Sequence, residues 1–210
     1  MNHSNSDQAA APRASRSSEK HQRILEAAIL VIAEKGFFEA RVSEIAAQAG
    51  VADGTIYLYF KNKEEILMAV IDSAFGVFLE RARAELAGNP SPREQLARLA
   101  RLHLEGLGAN RPLAVVFQTE LRHSARFLAQ FSHHRLVQYF DLIRAAIRQG
   151  QAQGQFRTDI SEKIAANCFF GALDEMVTSW VLSEHDYSLA GAADAVVDVI
   201  LKGMESSKAR

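Results

Sequence analysis

The sequence has a single cysteine, Cys168, only four prolines and almost no net charge. One cysteine excludes an intramolecular disulfide framework and a cysteine-rich zinc site, and it suits the reducing cytoplasm, where we expect the protein to be. A formal charge of −1, from 24 Lys and Arg against 25 Asp and Glu, argues against binding nucleic acid or an anionic membrane by bulk attraction. Any such binding has to come from a local patch.

The first eighteen residues are small and polar, and they lack the continuous apolar core of a secretory signal. We predict that residues 1–18 form a disordered arm. Its two arginines, Arg13 and Arg16, leave two interpretations open. The arm is either an inert tail or a segment that reaches the minor groove of DNA, as basic arms of some DNA-binding domains do.

Long hydrophobic runs without charge are also missing. The most apolar stretch, residues 164–181, contains Asp174 and Glu175, and each acid at the centre of a membrane is unfavourable by roughly 2.5–3.5 kcal/mol. A buried helix of a soluble protein therefore explains this stretch better than a membrane span.

Apolar residues recur at helical spacing throughout, whereas the alternation typical of β-strands never persists. The pattern predicts an all-α protein of about nine helices, with a three-helix head over residues 19–65 and a larger helical body over residues 66–210. Gly36 is expected to end the first helix in a left-handed conformation. Asn62 and Glu65 are expected to cap the fourth helix.

The window from Val42 to Phe60, VSEIAAQAGVADGTIYLYF, has the pattern of a helix-turn-helix. Two short helices flank Ala-Gly-Val, in which the glycine permits the tight turn. Small and apolar residues can form the core that holds the two helices at a fixed angle; these are Ile45, Ala46, Ala49, Val51 and Ile56. Phe60 is assigned to packing. The residues that then point outward are Gly54, Thr55, Tyr57, Leu58 and Tyr59.

This window, with the preceding ILEAAILVIAEKGF and the following KNKEEIL, resembles the TetR family of bacterial repressors. The resemblance implies that the second helix abuts the phosphates of DNA, that the third enters the major groove, and that the start of the fourth holds the backbone. The implied DNA-binding residues are Arg41, Ser43, Gly54, Thr55, Tyr57, Tyr59 and Lys63. Tyr57 and Tyr59 both lie near the head's core, so one of them is open to a partly structural role.

The head is scarcely basic, since residues 1–63 carry 8 Lys and Arg against 7 Asp and Glu. Affinity for DNA then has to come from a few placed contacts made by two copies of the head. We therefore predict a homodimer on a palindromic operator of double-stranded DNA, with half-sites about one helical turn apart or a little more.

The helix predicted for residues 161–183 carries a small and polar stripe on an otherwise apolar surface. Such a stripe allows close helix contact and fixes register across a two-fold axis, and the resemblance implies a four-helix dimer interface made with the last helix. A purely intramolecular role is the alternative. The expected interface residues are Asn167, Gly171, Asp174, Thr178, Val196, Val199 and Ile200.

Within the family, the segments AVVFQTELRHS and FFGALDEMVTSWVLSEHDYSL resemble the FadR-type repressors. This narrower resemblance implies control of fatty acid β-oxidation genes and release from DNA by long-chain acyl-CoA.

An acyl chain needs a long apolar tunnel, and the CoA phosphates need cations. The expected ligand-binding residues are Leu99, Arg101, His103, Val116, Phe117, Arg122, Phe127, Phe131, Phe140, Phe170, Leu173 and Trp180. Four further basic residues are available at the mouth of such a tunnel, namely Arg98, Arg111, His123 and Arg126. The plainer alternative for each residue is core packing for the aromatic side chains and a solvated face for the arginines.

Two other functions stay open at this point. One is a TetR-type repressor that senses a drug or an aromatic metabolite and controls efflux or catabolism. The other is a helical lipid-binding protein without a regulatory role. An enzyme is not expected, because Glu120 and His123 form only one of the two Glu-x-x-His motifs that a di-metal bundle needs. No cofactor and no metal are predicted.

Overall fold

In the computed structural model, which describes residues 10–123, 135–184 and 187–205, the chain is all-α. These ranges contain nine α-helices, a short 3-10 helix at Ala190–Ala192 and no β-strand. The fold class predicted from the sequence is confirmed. The helices are α1 (Ala10–Lys35), α2 (Val42–Ala49), α3 (Asp53–Ile56), α4 (Lys63–Leu86), α5 (Pro92–Gly108), α6 (Arg111–His123), α7 (Val137–Ala152), α8 (Glu162–Leu182) and α9 (Ala193–Met204).

The start of α1 corrects one prediction. Residues 10–18 are helical, although the sequence placed them in a disordered arm. The physical reason is local, because Ala and Arg are strong helix formers and Pro12 lies in the first turn, where a missing N–H breaks no helical hydrogen bond. Residues 1–9 and the side chains of Arg13 and Arg16 lie outside the described part of the chain.

The chain divides into two compact units, Met1–Val70 and Ile71–Arg210, and the division falls within α4. In the first unit, α1 packs on α2, and α2 packs on α3. The predicted inward face of α1 is buried, with Ile24 and Ala28 fully inaccessible. Gly36 ends α1 with a φ of 79°, so its predicted left-handed conformation is confirmed.

The N-terminus of α4 is capped by side chains, as the sequence predicts. The Asn62 Oδ1 atom accepts a hydrogen bond of 2.8 Å from the backbone N–H of Glu65. The carboxylate of Glu65 reaches back to the N–H of Lys61, at 2.7 Å. The reciprocal bond thus goes one residue further back than in a standard capping box.

In the second unit, α5 lies at the centre and packs against α6, α7, α8 and α9. Its inner face carries fully buried leucines such as Leu96 and Leu99. The last helix is also tied to α5 by charge, since Arg101 pairs with Asp194 at 2.7 Å and Arg93 pairs with Glu205. The apolar stretch 164–181 lies in α8, and no described helix is long and apolar enough to cross a membrane.

Candidate functional site

The turn between α2 and α3 has the geometry that a helix-turn-helix requires. Gly50 adopts a φ of 64°, and the N–H of Val51 bonds back to the carbonyl of Ala46 at 3.0 Å. This left-handed ending stops α2 and lets the chain reverse into α3. Arg23 of α1 donates a further hydrogen bond of 2.8 Å to the carbonyl of Ala49, so a cation lies at the negative end of α2.

The predicted DNA-binding residues fall into two groups in the structure. Arg41, Ser43, Gly54 and Tyr57 are exposed, whereas Thr55, Tyr59 and Lys63 are half-buried. On the opposite side of α3 and its following turn, Ile56 and Phe60 are buried. Residues 53–60, which we call the recognition segment after the role that the family resemblance implies, therefore present one face to solvent and anchor the other in the head's core.

The α-helical part of the recognition segment is only four residues long. Beyond Ile56 the chain continues as a turn, held by bonds from the N–H groups of Tyr59 and Phe60 to the carbonyl of Ile56. Gly54 lies in the helical part, and a Cβ atom at this position would meet nothing within 4 Å. The isolated fold therefore does not require glycine there, whereas a close approach of DNA would.

The two tyrosines differ in exposure, which decides which of them has the partly structural role. Tyr57 is 58% exposed. Tyr59 lies against α1, with its ring 5.9 Å from the His21 ring and its hydroxyl 3.2 Å from the Ser17 hydroxyl. Tyr59 is therefore the partly structural tyrosine.

Lys63, predicted to bind phosphate, has intramolecular partners in this structure. Its ammonium donates hydrogen bonds to the carbonyls of Phe38 at 3.0 Å and Ala40 at 2.8 Å. It also lies 4.6 Å from the centre of the Phe37 ring. Lys63 thus holds the loop between α1 and α2, and an ammonium with three protons keeps one for another acceptor.

The start of α2 is held by a carboxylate that sequence analysis did not single out. Glu44 accepts a hydrogen bond from the backbone N–H of Arg41 at 3.0 Å and pairs with Lys35 at 2.7 Å. The bond from Lys35 and the bond from Arg41 lower the pKa of Glu44 below its ordinary value. The Arg41 backbone is therefore fixed while its side chain is exposed.

In the second unit, aromatic side chains from five helices form one connected group, with neighbouring centroids 4.7–6.4 Å apart. His103 of α5 lies beside rings of α4, α7 and α8, and the ring from α6 joins the group through Phe75. We call this group the aromatic cluster; it consists of Phe75, Phe78, His103, Phe117, Tyr139, Phe140 and Phe170. The five phenylalanines are half-buried, so part of each side chain is accessible in the single chain.

The polar centre of the aromatic cluster is the pair of His103 and Tyr139. The His103 Nδ1 atom lies 3.3 Å from the Tyr139 hydroxyl, and both residues are buried. Burial lowers the pKa of His103 to about 4 and raises that of Tyr139. Both side chains are therefore neutral near pH 7, because an apolar surrounding penalises their charged forms.

The structure places the other expected ligand-binding residues unevenly. Leu99, Val116 and Leu173 are fully buried in the core. Trp180 is buried with the Arg111 guanidinium 4.9 Å from its ring. Phe127 and Phe131, like Arg126 and the side chains of Arg122 and His123, lie outside the described residues.

Three of the basic residues expected near a CoA group already have partners. Arg101 pairs with Asp194, and Arg98 pairs with Glu94 and, more distantly, with Glu85. Arg111 donates to the carbonyls of Val181 and Ser183 at the end of α8, at 3.0 and 3.1 Å. These interactions give each arginine a role in holding helices together.

Phe75 and Phe78 are members of the aromatic cluster that sequence analysis missed. The expected tunnel was confined to residues after Leu96, whereas both phenylalanines lie on α4. Their spacing of three residues on the apolar face of α4 was the available signal, because residues three apart share one side of a helix.

The residues expected in a dimer interface also differ in their surroundings. Asn167 and Gly171 of α8 are exposed. Asp174 and Thr178, by contrast, both bond to Gln118 of α6, each at 3.0 Å. The polar stripe predicted on α8 is therefore two features, an exposed surface and an α6–α8 contact within the chain.

Exposed apolar side chains remain on each of the last two helices. On α8 they include Ile164 and Leu182, and on α9 they include Val199, which is 73% exposed. Val196 and Ile200 of α9 are half-buried.

Among the described residues, no group of three or more His, Cys, Asp and Glu side chains could hold a metal ion.

Comparisons with known proteins cover both units. Residues 24–70 match the family model of the bacterial regulatory proteins of the tetR family, and residues 71–203 match that of the C-terminal region of YsiA-like proteins. The fatty acid metabolism regulator protein of Bacillus subtilis is 36% identical over 187 residues, covering 89% of this chain and 96% of that protein.

Two of the similar solved structures match most of the chain. One is the transcriptional regulator FadR from Bacillus subtilis in complex with stearoyl-CoA, with a TM-score of 0.82 at 36% identity; the match covers 88% of this chain and 100% of that one. The other is the fatty acid degradation regulator FadR from Bacillus halodurans, with a TM-score of 0.81 at 37% identity and the same coverage.

Proposed function

The chain belongs to the TetR family of bacterial transcriptional regulators, and we propose that it is a homodimeric repressor released from its operator by long-chain acyl-CoA. The observation that carries the proposal is the aromatic cluster, a group of half-buried apolar side chains in a chain similar over most of its length to a regulator crystallised with stearoyl-CoA. We further propose that it acts in the cytoplasm, controls fatty acid β-oxidation genes and catalyses no reaction. Nothing observed favours the alternative of a drug or aromatic metabolite as effector.

Operator binding is assigned to the exposed face of the head. Arg41 and Ser43 at the start of α2 would contact phosphates, while Gly54 and Thr55 would lie nearest the bases. The open space at Gly54 supports this, because the glycine has no reason within the isolated fold. Tyr57 would contact the DNA backbone or a thymine methyl group.

The acyl chain is assigned to the aromatic cluster. Each buried methylene contributes about 0.8 kcal/mol, so a long chain can supply most of the affinity. Arg98, Arg101 and Arg111 have partners within the chain, so any of them that binds a CoA phosphate has to use its remaining N–H groups or give up an existing interaction. The basic residues between 122 and 126 are the remaining candidates for the CoA group.

Release from DNA is assigned to α4, which begins with Lys63 in the head and carries Phe75 and Phe78 in the aromatic cluster. Within the body, Asp72 of α4 accepts bonds of 2.6 and 2.9 Å from Arg135, which lies just before α7. A ligand that displaces the phenylalanines would shift this helix. It can weaken operator binding only if it binds the DNA-incompetent state more tightly than the competent one.

Dimer formation is assigned to the exposed surface of α8 and α9. Gly171 provides a direct test, since a Cβ atom there would meet nothing within 4 Å in the single chain. We expect Gly171→Arg to fold normally and to sediment as a monomer in analytical ultracentrifugation. The matched control is Ala145→Arg, at an exposed position of α7. Dimers of unchanged stability in Gly171→Arg would refute this interface.

The regulatory function is tested by selecting an operator from random DNA with the purified protein and then titrating the complex with acyl-CoA. We expect stearoyl-CoA or palmitoyl-CoA to dissociate the complex, while coenzyme A alone and the free fatty acids serve as controls. Complexes that survive saturating acyl-CoA of every chain length would refute the proposed effector. A selection that yields no preferred DNA sequence would refute operator binding.

The role of the head in operator binding is tested by one substitution that leaves the packing within the chain unchanged. Gly54→Ala should leave the fold intact and weaken operator binding at least tenfold, because a methyl group would stand between α3 and the DNA. Gly106→Ala is the control, since a Cβ atom at that position of α5 also meets nothing within 4 Å. Equal operator affinities of the two variants would exclude Gly54 from the DNA contact.

A further inference from the structure

We propose that His103 is the polar recognition point of the ligand site, where its Nε2–H group donates a hydrogen bond to a carbonyl oxygen of the bound ligand. For an acyl-CoA, this oxygen is that of the thioester. The inference rests on the proposed function and deepens it, since it assigns to one residue the recognition of a chemical group that a plain hydrocarbon lacks.

His103 is not a surface residue, because its side chain is enclosed by other rings. The residue is 8% exposed, and its ring centroid lies 5.9 Å from those of Tyr139 and Phe170 and 6.4 Å from that of Phe78. It is the one ionisable base among the seven members of the aromatic cluster. A ligand that enters beside Phe78 or Phe170 would lie next to this imidazole.

One of the two imidazole nitrogens is satisfied and the other is not. The Nδ1 atom bonds to the Tyr139 hydroxyl, at 3.3 Å. The Nε2 atom is buried and has no hydrogen-bond partner among the described residues. Buried polar groups in native proteins are nearly always paired, and an unpaired one destabilises the fold. A ligand that brings the missing partner explains why a histidine occupies an apolar position.

The hydrogen positions on the pair follow from counting donors and acceptors. A neutral imidazole has one N–H and one lone pair, and the phenol of Tyr139 has one hydrogen to donate. If Tyr139 donates to Nδ1, the phenol hydrogen and the nitrogen lone pair are both used. The opposite arrangement would leave the phenol hydrogen without an acceptor among the described residues. The first arrangement places the hydrogen of His103 on Nε2.

The group that completes this arrangement is therefore an acceptor on an otherwise apolar ligand. A thioester carbonyl meets the requirement, because it is an acceptor without a donor and lies at the start of the acyl chain. A thioether in its place, with a methylene where the carbonyl was, offers nothing to the N–H. The two linkages thus form a matched pair of ligands that differ at the one atom of interest.

The experiment is isothermal titration of the full-length protein with palmitoyl-CoA and with S-hexadecyl-CoA, its thioether analogue. We expect the wild-type protein to prefer the thioester by about tenfold, as one buried hydrogen bond implies. In His103→Phe the preference should fall to about one, with both ligands still bound. His103→Gln keeps an N–H donor at this position and should retain part of the preference.

The ratio between the two ligands distinguishes recognition from general damage, because a loosened site weakens both ligands alike. An unchanged preference in His103→Phe would overturn the inference and leave the acyl-CoA proposal standing. Failure of the wild-type protein to bind either ligand would overturn both.

A second test uses NMR spectroscopy of the wild-type protein and so does not depend on whether a variant folds. The imidazole ¹⁵N signals should place the hydrogen on Nε2, and the Nε2 signal should shift more with palmitoyl-CoA than with the thioether. Equal shifts with the two ligands would also overturn the inference.

Discussion

The ammonium of Lys63 lies 2.8 Å from the carbonyl oxygen of Ala40, so the first residue of α4 holds the loop that leads into α2. The same residue was expected to bind a DNA phosphate, and the two roles are compatible only if they use different protons of the ammonium. By holding this loop, Lys63 also helps to fix the position of Arg41 and Ser43 at the start of α2.

Replacement of Lys63 separates the two roles. We expect Lys63→Ala to weaken operator binding nearly uniformly across DNA sequences and to reduce the slope of log K against log salt by about one per subunit. Lys61→Ala is the control, because that lysine side chain is 88% exposed two residues earlier. Weaker binding with an unchanged salt slope would assign Lys63 to holding the loop alone.

The two tyrosines of the recognition segment should respond differently to truncation. Tyr57→Ala should weaken operator binding and leave the free energy of unfolding within about 0.5 kcal/mol of the wild-type value, because the side chain is largely exposed. Tyr59→Ala should weaken binding and also destabilise the head by about 1–2 kcal/mol, since it loses packing against His21. Urea unfolding and operator titration measure both effects. Equal stabilities of the two variants would contradict the assignment.

Gly150 is a position where the body does not tolerate a methyl group. A Cβ atom there would overlap the ring of Phe156, which is buried and whose N–H bonds to the carbonyl of Gly150. We expect Gly150→Ala to lower the free energy of unfolding by about 1–3 kcal/mol, because the ring cannot move without disturbing the core. Gly106→Ala, in an open position, should show no such loss. The midpoints of urea unfolding compare the two variants.

The buried histidine makes stability depend on pH. In the folded protein burial depresses the pKa of His103 to about 4, whereas the ordinary value is 6.5. The unfolded chain therefore binds a proton first as the pH falls, and stability is lost between about pH 6.5 and 4, by about 3 kcal/mol in total. Above pH 6.5 and below pH 4, His103 does not make the free energy of unfolding change with pH.

The variant His103→Phe isolates that contribution from those of the other histidines. We expect the difference in unfolding free energy between wild-type protein and variant to change by up to about 1.4 kcal/mol per pH unit between pH 6 and 5. A difference that stays constant across this range would show that His103 is not held neutral by burial.

Local features were predicted well because they depend on neighbouring residues. Gly36 ends α1, and Asn62 with Glu65 caps α4, because each device acts within one turn of helix. The one local error, the missing start of α1, came from giving small polar residues more weight than the helix propensity of Ala and Arg.

The partners of charged and polar residues could not be predicted in the same way. Arg101 pairs with Asp194 over a separation of 93 residues, and Asp174 bonds to Gln118 over 56. A sequence pattern shows which face of a helix is polar, whereas the residue that meets this face belongs to another helix. Phe75 and Phe78 belong to the aromatic cluster for the same reason, since rings of α6 and α7 meet them there.

The sequence by itself determined the all-α class, the turn at Gly50 and the membership of a regulator family, since helical periodicity and a short motif in register are properties of consecutive residues. The tertiary structure decided which residues remain available to a ligand or to DNA. It gave Lys63, Arg98, Arg101 and Arg111 partners within the chain, and it left the buried His103 with one nitrogen unpaired. The physical reason is that a side chain's interactions are set by the groups that folding brings beside it.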